Sequence, residues 1–581
     1  MRRASAAIIL MLFVFSAPHL AQQSGGPKSS PTTGTITGRV VDSAGEPLAG
    51  ASIYAGSYSG NVRRTSVTTD SHGDFKIDGL EPGLYNIFAS MPGYVSLTRH
   101  SDSPNFYRLG DSVTFTMSKG GVITGSVIGR NGPLVGVGLF ATRVRDADGK
   151  KLAASYPGGY ERRTDDRGIY RIFGLEPGAY LIMASRPRVG TILPTAYDFD
   201  VPTFYPSSTR DTAAEIVIRE GDEITADIQY RGEPGHAISG KISGVASDTQ
   251  GQFTPGPNIT LTDLGDHTAI SNSPTSLTDN SVFAIYGVPD GEYELSATQY
   301  LATRDNLRSQ AQRVTVRGGD VTGINLKLEP LGSITGQLAF KNDPAAGCGK
   351  RKENAAPETL VYARALGPAK KTETKDEQSH TSPWPESSSA LAAADAKGSF
   401  TVKSLVPGAY RIDPRLPASG WYLQSIAFGP AAAAKANGAA VKDSVSVRVG
   451  EHITGVTVTI VEGGATLSGK LSVAGSQSSP AGLRVYLIPA EREAADNVYR
   501  FYEAAVGSDA TFTLDNVAPG RYWIAPRVAE QTELGITKLV RQDEALRAKV
   551  RQEAEALNRT VTLKPCEQVA DFSLQLPSAE R

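Results

Sequence analysis

Histidine, cysteine and paired carboxylates are the residues from which hydrolytic or metal-assisted chemistry would be built, and the 581 residues contain 7 His and 2 Cys. The histidines are His19, His72, His100, His236, His267, His380 and His452, and none has Glu three residues on or a second His within five. A zinc hydrolase needs such spacing, because ligands from one element must converge on the ion while a carboxylate activates its water. A Gly-x-Ser-x-Gly nucleophile elbow is missing as well. Neither Cys348 nor Cys566 sits in a motif with a partnering base. Asp70 to Asp74 could be read as a fragment of a calcium loop, but the same positions return around Asp165 as turn residues, and turn chemistry is the better reading. No catalytic residue, metal ligand or cofactor is expected.

Charge narrows the partners. With 59 Lys plus Arg against 60 Asp plus Glu, the formal net charge is -1, which lacks the basic footprint that nucleic-acid binding requires. Arg2 and Arg3 precede the apolar run Ala6 to Phe15, and Ala21 before Gln22 makes a plausible cleavage point, the pattern of a secretory signal. No later stretch approaches 18 apolar residues, and no Cys follows the signal to carry a lipid. The expected location is therefore exported, in the periplasm, on the outer surface or secreted, without a transmembrane segment in the mature chain.

The elements that would position any site repeat five times. Each unit opens on an apolar residue, Thr or Ser, then Gly: Ile36-Thr37-Gly38, Ile123-Thr124-Gly125, Ile238-Ser239-Gly240, Ile334-Thr335-Gly336 and Leu467-Ser468-Gly469. By subtraction the starts lie 87, 115, 96 and 133 residues apart, a loose period with insertions between fixed elements. Inside each unit a second element recurs, in unit one Thr69-Asp70-Ser71-His72-Gly73-Asp74-Phe75, then Leu80-Glu81-Pro82-Gly83-Leu84-Tyr85. Its relatives end in Pro177-Gly178-Ala179-Tyr180, Pro289-Asp290-Gly291-Glu292-Tyr293, Pro407-Gly408-Ala409-Tyr410 and Pro519-Gly520-Arg521-Tyr522. Asp-x-x-Gly makes one tight turn and Pro-Gly a second, and the Tyr begins a strand of alternating apolar residues such as Tyr85, Ile87 and Ala89. Short strands between frequent turns, at about 100 residues a unit, describe β-sandwiches.

The chain then divides as follows: a signal at 1–21, a linker at 22–33, and sandwiches at 34–119, 120–230, 231–330, 331–461 and 462–581. The fourth carries an insertion expected to be disordered over about 343–395, and Pro368 to Lys397 and Ala431 to Ala440 read as mobile surface loops. The fifth carries a helix over Asp543 to Asn558, whose Leu546, Val550, Ala554 and Leu557 fall on one face to cap the last sandwich.

The apolar-Thr-Gly opening, the Gly-x-Pro-Leu-x-Gly-Ala turn at Gly45 to Ala51, Thr-Asp-x-x-Gly-x-Phe and Leu-x-Pro-Gly-x-Tyr together resemble the carboxypeptidase regulatory-like domain. The resemblance implies an all-β chain, a tandem array of Ig-like or prealbumin-like antiparallel β-sandwiches grouped with Cna B-like and carbohydrate-binding-like folds. Cna B-like domains can form internal isopeptide bonds that rely on a Glu four residues after the Tyr. Here those positions are Ala89, Ala184, Ala297, Pro414 and Pro526, so no crosslink is expected.

Two features remain, a pair of cysteines and a recurring set of aromatics. A Cys348–Cys566 disulfide would add on the order of 4 to 5 kcal/mol in the chain-entropy model, and two buried thiols that never meet are an equal alternative. Phe204 and Tyr205 in unit two, echoed by Trp421 and Tyr422 in unit four and by Phe106 and Tyr107 in unit one, could face a glycan. Their recurrence at one topological place argues more strongly for packing or a joint between modules. The expected function is non-catalytic: a structural, adhesive or protein-interaction role at the cell envelope, toward polysaccharide or another envelope protein. The alternatives are a carbohydrate-binding protein and an accessory subunit of an envelope peptidase or outer-membrane receptor.

Overall fold

The computed structural model describes residues 33–58, 65–96, 106–152, 162–186, 188–189, 195–246, 255–265, 269–274, 281–301, 305–342, 355–366, 390–417, 420–429, 444–472, 482–507, 509–530 and 537–575. The signal region therefore lies outside the described residues, as do Ala431 to Ala440 and most of Pro368 to Lys397.

One plan recurs along the chain. In the first module the strand Gly34–Asp42 lies between Asp74–Leu80 and Ser112–Lys119, while Ser52–Ser57 lies between Thr65–Thr68 and Tyr85–Ser90 in a second sheet. Alternation puts Ile36, Val40, Ile53, Phe75, Ile77, Ile87 and Phe115 between the two sheets as one buried core. Burying a side chain of this size contributes about 1.5–3 kcal/mol, and equivalent cores sit around Ile123, Ile238, Ile334 and Leu467. In the third module Leu307–Ser309 pairs with both Gly291–Gln299 and Val321–Pro330, joining its two layers into one continuous sheet.

Most pairs are antiparallel, as expected, but the opening strand runs parallel to the closing strand in every module. This parallel pair explains the glycine of the opening motif. A Cβ on Gly38, Gly125, Gly240, Gly336 or Gly469 would fall closer than 3.0 Å to the carbonyl oxygen of Val113, Ala226, Ile324, Val456 or Phe572 on the closing strand. The residue is glycine because another backbone passes against its face.

The expected helix is present as α1, Glu544–Leu557, with the Asp543 side chain accepting from the Leu546 amide at its N-terminus and Asn558 left-handed at its end. Leu546, Val550 and Ala554 pack with Tyr486, Ile488, Phe501 and Ala525 on the outer face of a fifth-module sheet.

The expectation of a disordered insertion over 343–395 needs correction. The strand Leu360–Ala365 falls inside it, paired with Ala390–Ala393 and Gly408–Arg415 at the centre of a fourth-module sheet. Val361 and Ala363 enter that module's core, whereas Leu360 and Tyr362 are buried on the opposite face beneath Leu84 and Phe106 of the first module. A strand covered on both faces shows no polar alternation, so it reads as a short apolar run inside polar sequence.

Candidate functional site

The recurrent aspartates are built into turns. One carboxylate oxygen of Asp70 accepts from the amides of His72 and Asp74 at 2.8 and 2.9 Å. Asp165 does the same for Arg167 and Ile169 at 3.0 and 2.8 Å, and Asp395 for Lys397 and Ser399 at 2.9 and 2.8 Å. These are Asx turns that fix the hairpin before the aromatic strand. Asp74 carries a two-pronged bond from Arg39, which holds its carboxyl below the usual range.

The recurrent tyrosines have one role five times over. The hydroxyls of Tyr85, Tyr180, Tyr293, Tyr410 and Tyr522 donate to the carbonyls of Glu81, Glu176, Pro289, Val406 and Ala518, each four residues back, at 2.6–2.9 Å. Each is a tyrosine corner that fastens the Pro-Gly turn to the core. Burial raises the pKa of Tyr85, Tyr293 and Tyr522 and pushes the Tyr410 hydroxyl up to about 12.

Of the histidines, His72, His236 and His452 are described, and His19, His100, His267 and His380 lie outside the described residues. His452 Nδ1 is 2.8 Å from the Ser333 hydroxyl, and His236 Nε2 is 3.3 Å from Asp290 at the start of the third module.

Three of the four expected ligand-facing aromatics are spent on packing. Phe204 is buried with Phe140 and Met183, and Tyr205 is half-buried against the second core. Trp421 is buried in the fourth core with its edge on Phe340, centroids 5.4 Å apart, and Tyr422 beside it is half-buried. A glycan platform presents exposed faces, so Phe204 and Trp421 do not serve as one. The exposed pair is another one: Tyr54 and Phe88, cross-strand partners on the outer face of the first module, stack at 5.1 Å and 19°. Ser52, Ser66, Thr68, Asn86 and Ser90 surround them by register. Alternation carries the signal, since Tyr54 lies between Ile53 and Ala55 and Phe88 between Ile87 and Ala89.

Specific side chains also define joints between modules. Ser43 donates to Glu220 at 2.6 Å between the first and second. Arg188–Val189 adds to the strand Val282–Val288, and Phe199 meets Tyr286 at 5.0 Å, between the second and third. Lys403 pairs with Asp305 at 2.8 Å, and Asn306 donates to Ser404 at 3.0 Å, between the third and fourth. Val498 and Tyr499 of the fifth complete the fourth core, and Asp413 meets Arg541 at 3.5 Å. The Cys566 amide donates to the Gly463 carbonyl at 3.1 Å, and Cys566 is disulfide-bonded. Cys348, the other half of the expected pair, lies outside the described residues.

One joint skips along the sequence. Leu84 and Phe106 of the first module are buried with Leu360 and Tyr362 of the fourth. Arg108 pairs with Glu358 at 3.3 Å, and the Arg415 guanidinium lies over the Phe106 ring at 4.5 Å. Burial lowers the Arg415 pKa and raises that of Tyr58, which packs edge-on against Phe106.

Residues 35–116 match the family model described as carboxypeptidase regulatory-like domain, so the first module is a domain of that kind. Colossin-A of Dictyostelium discoideum is 30% identical over 148 residues, which cover 23% of this chain and 1% of that protein. Among solved structures, the minor pilin GBS52 of Streptococcus agalactiae is 13% identical over 38% of this chain and 100% of its own, with a TM-score of 0.19. Two B repeat units of the collagen binding protein of Staphylococcus aureus are 11% identical over 74% of this chain and 100% of theirs, with a TM-score of 0.13. The Bacillus anthracis TIE protein is 16% identical over 51% of each chain, with a TM-score of 0.14. Among the described residues no helix is long and apolar enough to cross a membrane.

Proposed function

We propose that this chain is a non-catalytic, exported, multi-module protein with a structural, adhesive or protein-interaction role at the cell envelope. The observation that supports it most is how the repeated reactive side chains are used. Aspartates hold turns, tyrosine hydroxyls are bonded to backbone carbonyls, and arginine–carboxylate pairs bridge modules. The apolar run Ala6 to Phe15 behind Arg2 and Arg3 supports export. The purified mature chain should turn over no peptide, ester or glycosidic substrate while being retained on an envelope fraction. Hydrolysis above the blank, or a chain left in the cytosol with Met1 still attached, contradicts the reading.

Carbohydrate binding is the second reading, and the Tyr54–Phe88 pair favours it. Exposed rings bordered by hydroxyl and amide side chains suit a neutral sugar, because apolar C–H faces stack on the rings while small polar groups take the sugar hydroxyls. A glycan array on the mature chain tests it: a hit lost in Tyr54→Ser supports this site, and an array without hits removes it.

A further inference from the structure

The contact between the first and fourth modules closes a ring. Modules one to four are linked in sequence by the joints at Glu220, Tyr286 and Lys403, and the buried patch of Leu84, Phe106, Leu360 and Tyr362 then brings the fourth back onto the first. We propose that this patch is a clasp that opens under tension and releases the second and third modules as stored length.

The path of a load makes the case. Tension between the first and fifth modules has two routes through the folded chain. One passes directly from the first module to the fourth across the clasp, and on to the fifth. The other follows the backbone from Arg108 through the second and third modules to Glu358. The clasp route is the shorter, so it carries the load first, and the longer route stays slack until the clasp parts.

The clasp is also the joint that covalent continuity does not back up. The fourth and fifth modules are joined through a shared core at Val498 and Tyr499, through Asp413 and Arg541, and by backbone that runs from one into the other. The clasp has a small apolar patch, the Arg108–Glu358 pair and the Arg415 guanidinium over Phe106. A contact of this kind within one chain resembles a modest interface between proteins, held closed by the high effective concentration of its tethered halves. It should therefore open before any sandwich unfolds and close again when the load falls. Its residues stand outside the sandwich cores: Leu84 and Phe106 are not part of the first core, nor Leu360 and Tyr362 of the fourth. Opening can leave both modules folded. The inference rests on contacts between modules and is independent of what the chain binds.

Force spectroscopy on the full mature chain, held by handles at its two ends and with the Cys566 disulfide reduced so that all five modules can extend, tests it. The expected record has a first, reversible lengthening on the order of 60–80 Å, the span of two folded modules built from strands of about 30 Å plus their turns, at a force below that of the five unfolding events. Phe106→Lys and Arg108→Glu should each abolish that first event, and Arg108→Glu combined with Glu358→Arg should restore it. Five unfolding events in each variant establish that the modules remain folded. Should Phe106→Lys unfold the first module, Tyr362→Lys on the opposite side of the clasp gives the same reading. A wild-type chain that passes straight to unfolding, or clasp variants that keep the early event, overturns the proposal.

Discussion

At the residue scale, the repeated positions divide by the constraint that each one meets. Gly336 has no room for a side chain, since a Cβ there would lie 2.5 Å from the Phe400 ring as well as against the Val456 carbonyl. Gly336→Ala should destabilise the fourth module by roughly 3 kcal/mol, the upper end of what overpacking costs, measurable by chemical denaturation. Ala at Gly420 meets no neighbouring atom, although its φ of 90° still carries backbone strain. The corner tyrosines make a second test. Tyr410→Phe leaves the packing and removes one hydrogen bond to Val406, for a cost of about 1 kcal/mol. Because the folded state holds the Tyr410 proton up to a pKa of about 12, against an ordinary value of 10.0, its contribution is intact below pH 10 and is lost as pH rises toward 12. Tyr293 and Tyr522 are shifted in the same direction, so alkaline unfolding should begin above pH 10, as followed by phenolate absorbance and circular dichroism together.

These residues were legible in the sequence because each acts within a few positions of itself: Asp on amides two and four residues on, and Tyr on a carbonyl four residues back. The aromatics were harder. Trp421 and Phe204 recur with their modules as packing residues do, yet sequence alone does not distinguish a buried ring from an exposed one where alternation is interrupted. At Tyr54 and Phe88 alternation is strict, and it marks both as outward-facing.

At the element scale, α1 and the strand Leu360–Ala365 form a contrast. The helix announces itself, because its apolar residues keep the helical period and Asp543 and Asn558 punctuate its ends. Asp543→Ala should cost about 1 kcal/mol through the lost cap, and Val550→Ala more, since it opens a cavity in the core between the helix and the sheet; thermal melts of the two variants measure the difference. Leu360–Ala365 gives no such notice. Its two buried faces serve two modules, one of them some 250 residues earlier in the chain by subtraction from Phe106, and no local period encodes a partner at that distance. The misplaced insertion and the missed clasp therefore have one physical cause.

At the scale of the whole molecule, the modules are bound to one another as well as strung together. Cys566 stands beside the passage from the fourth module to the fifth, with its amide on the Gly463 carbonyl. We propose that its partner is Cys348, which would tie the fourth module's first insertion to the last turn of the fifth. Peptide mapping without reductant should recover those two cysteines in one fragment, and a linkage between two chains instead would contradict the pairing. The near-balance of 59 basic and 60 acidic residues, a formal net charge of -1, leaves the chain as a whole without the net positive charge that steers a polyanion.

Solution X-ray scattering tests the joined arrangement most directly. A compact body of this length has a radius of gyration near 25 Å, whereas a straight row of five modules, each on the order of 35 Å long, would approach 50 Å. The mature chain should measure about 25–35 Å at low protein concentration, and Phe106→Lys should move it upward. A wild-type value near 50 Å, unchanged by that substitution, would contradict the closed array.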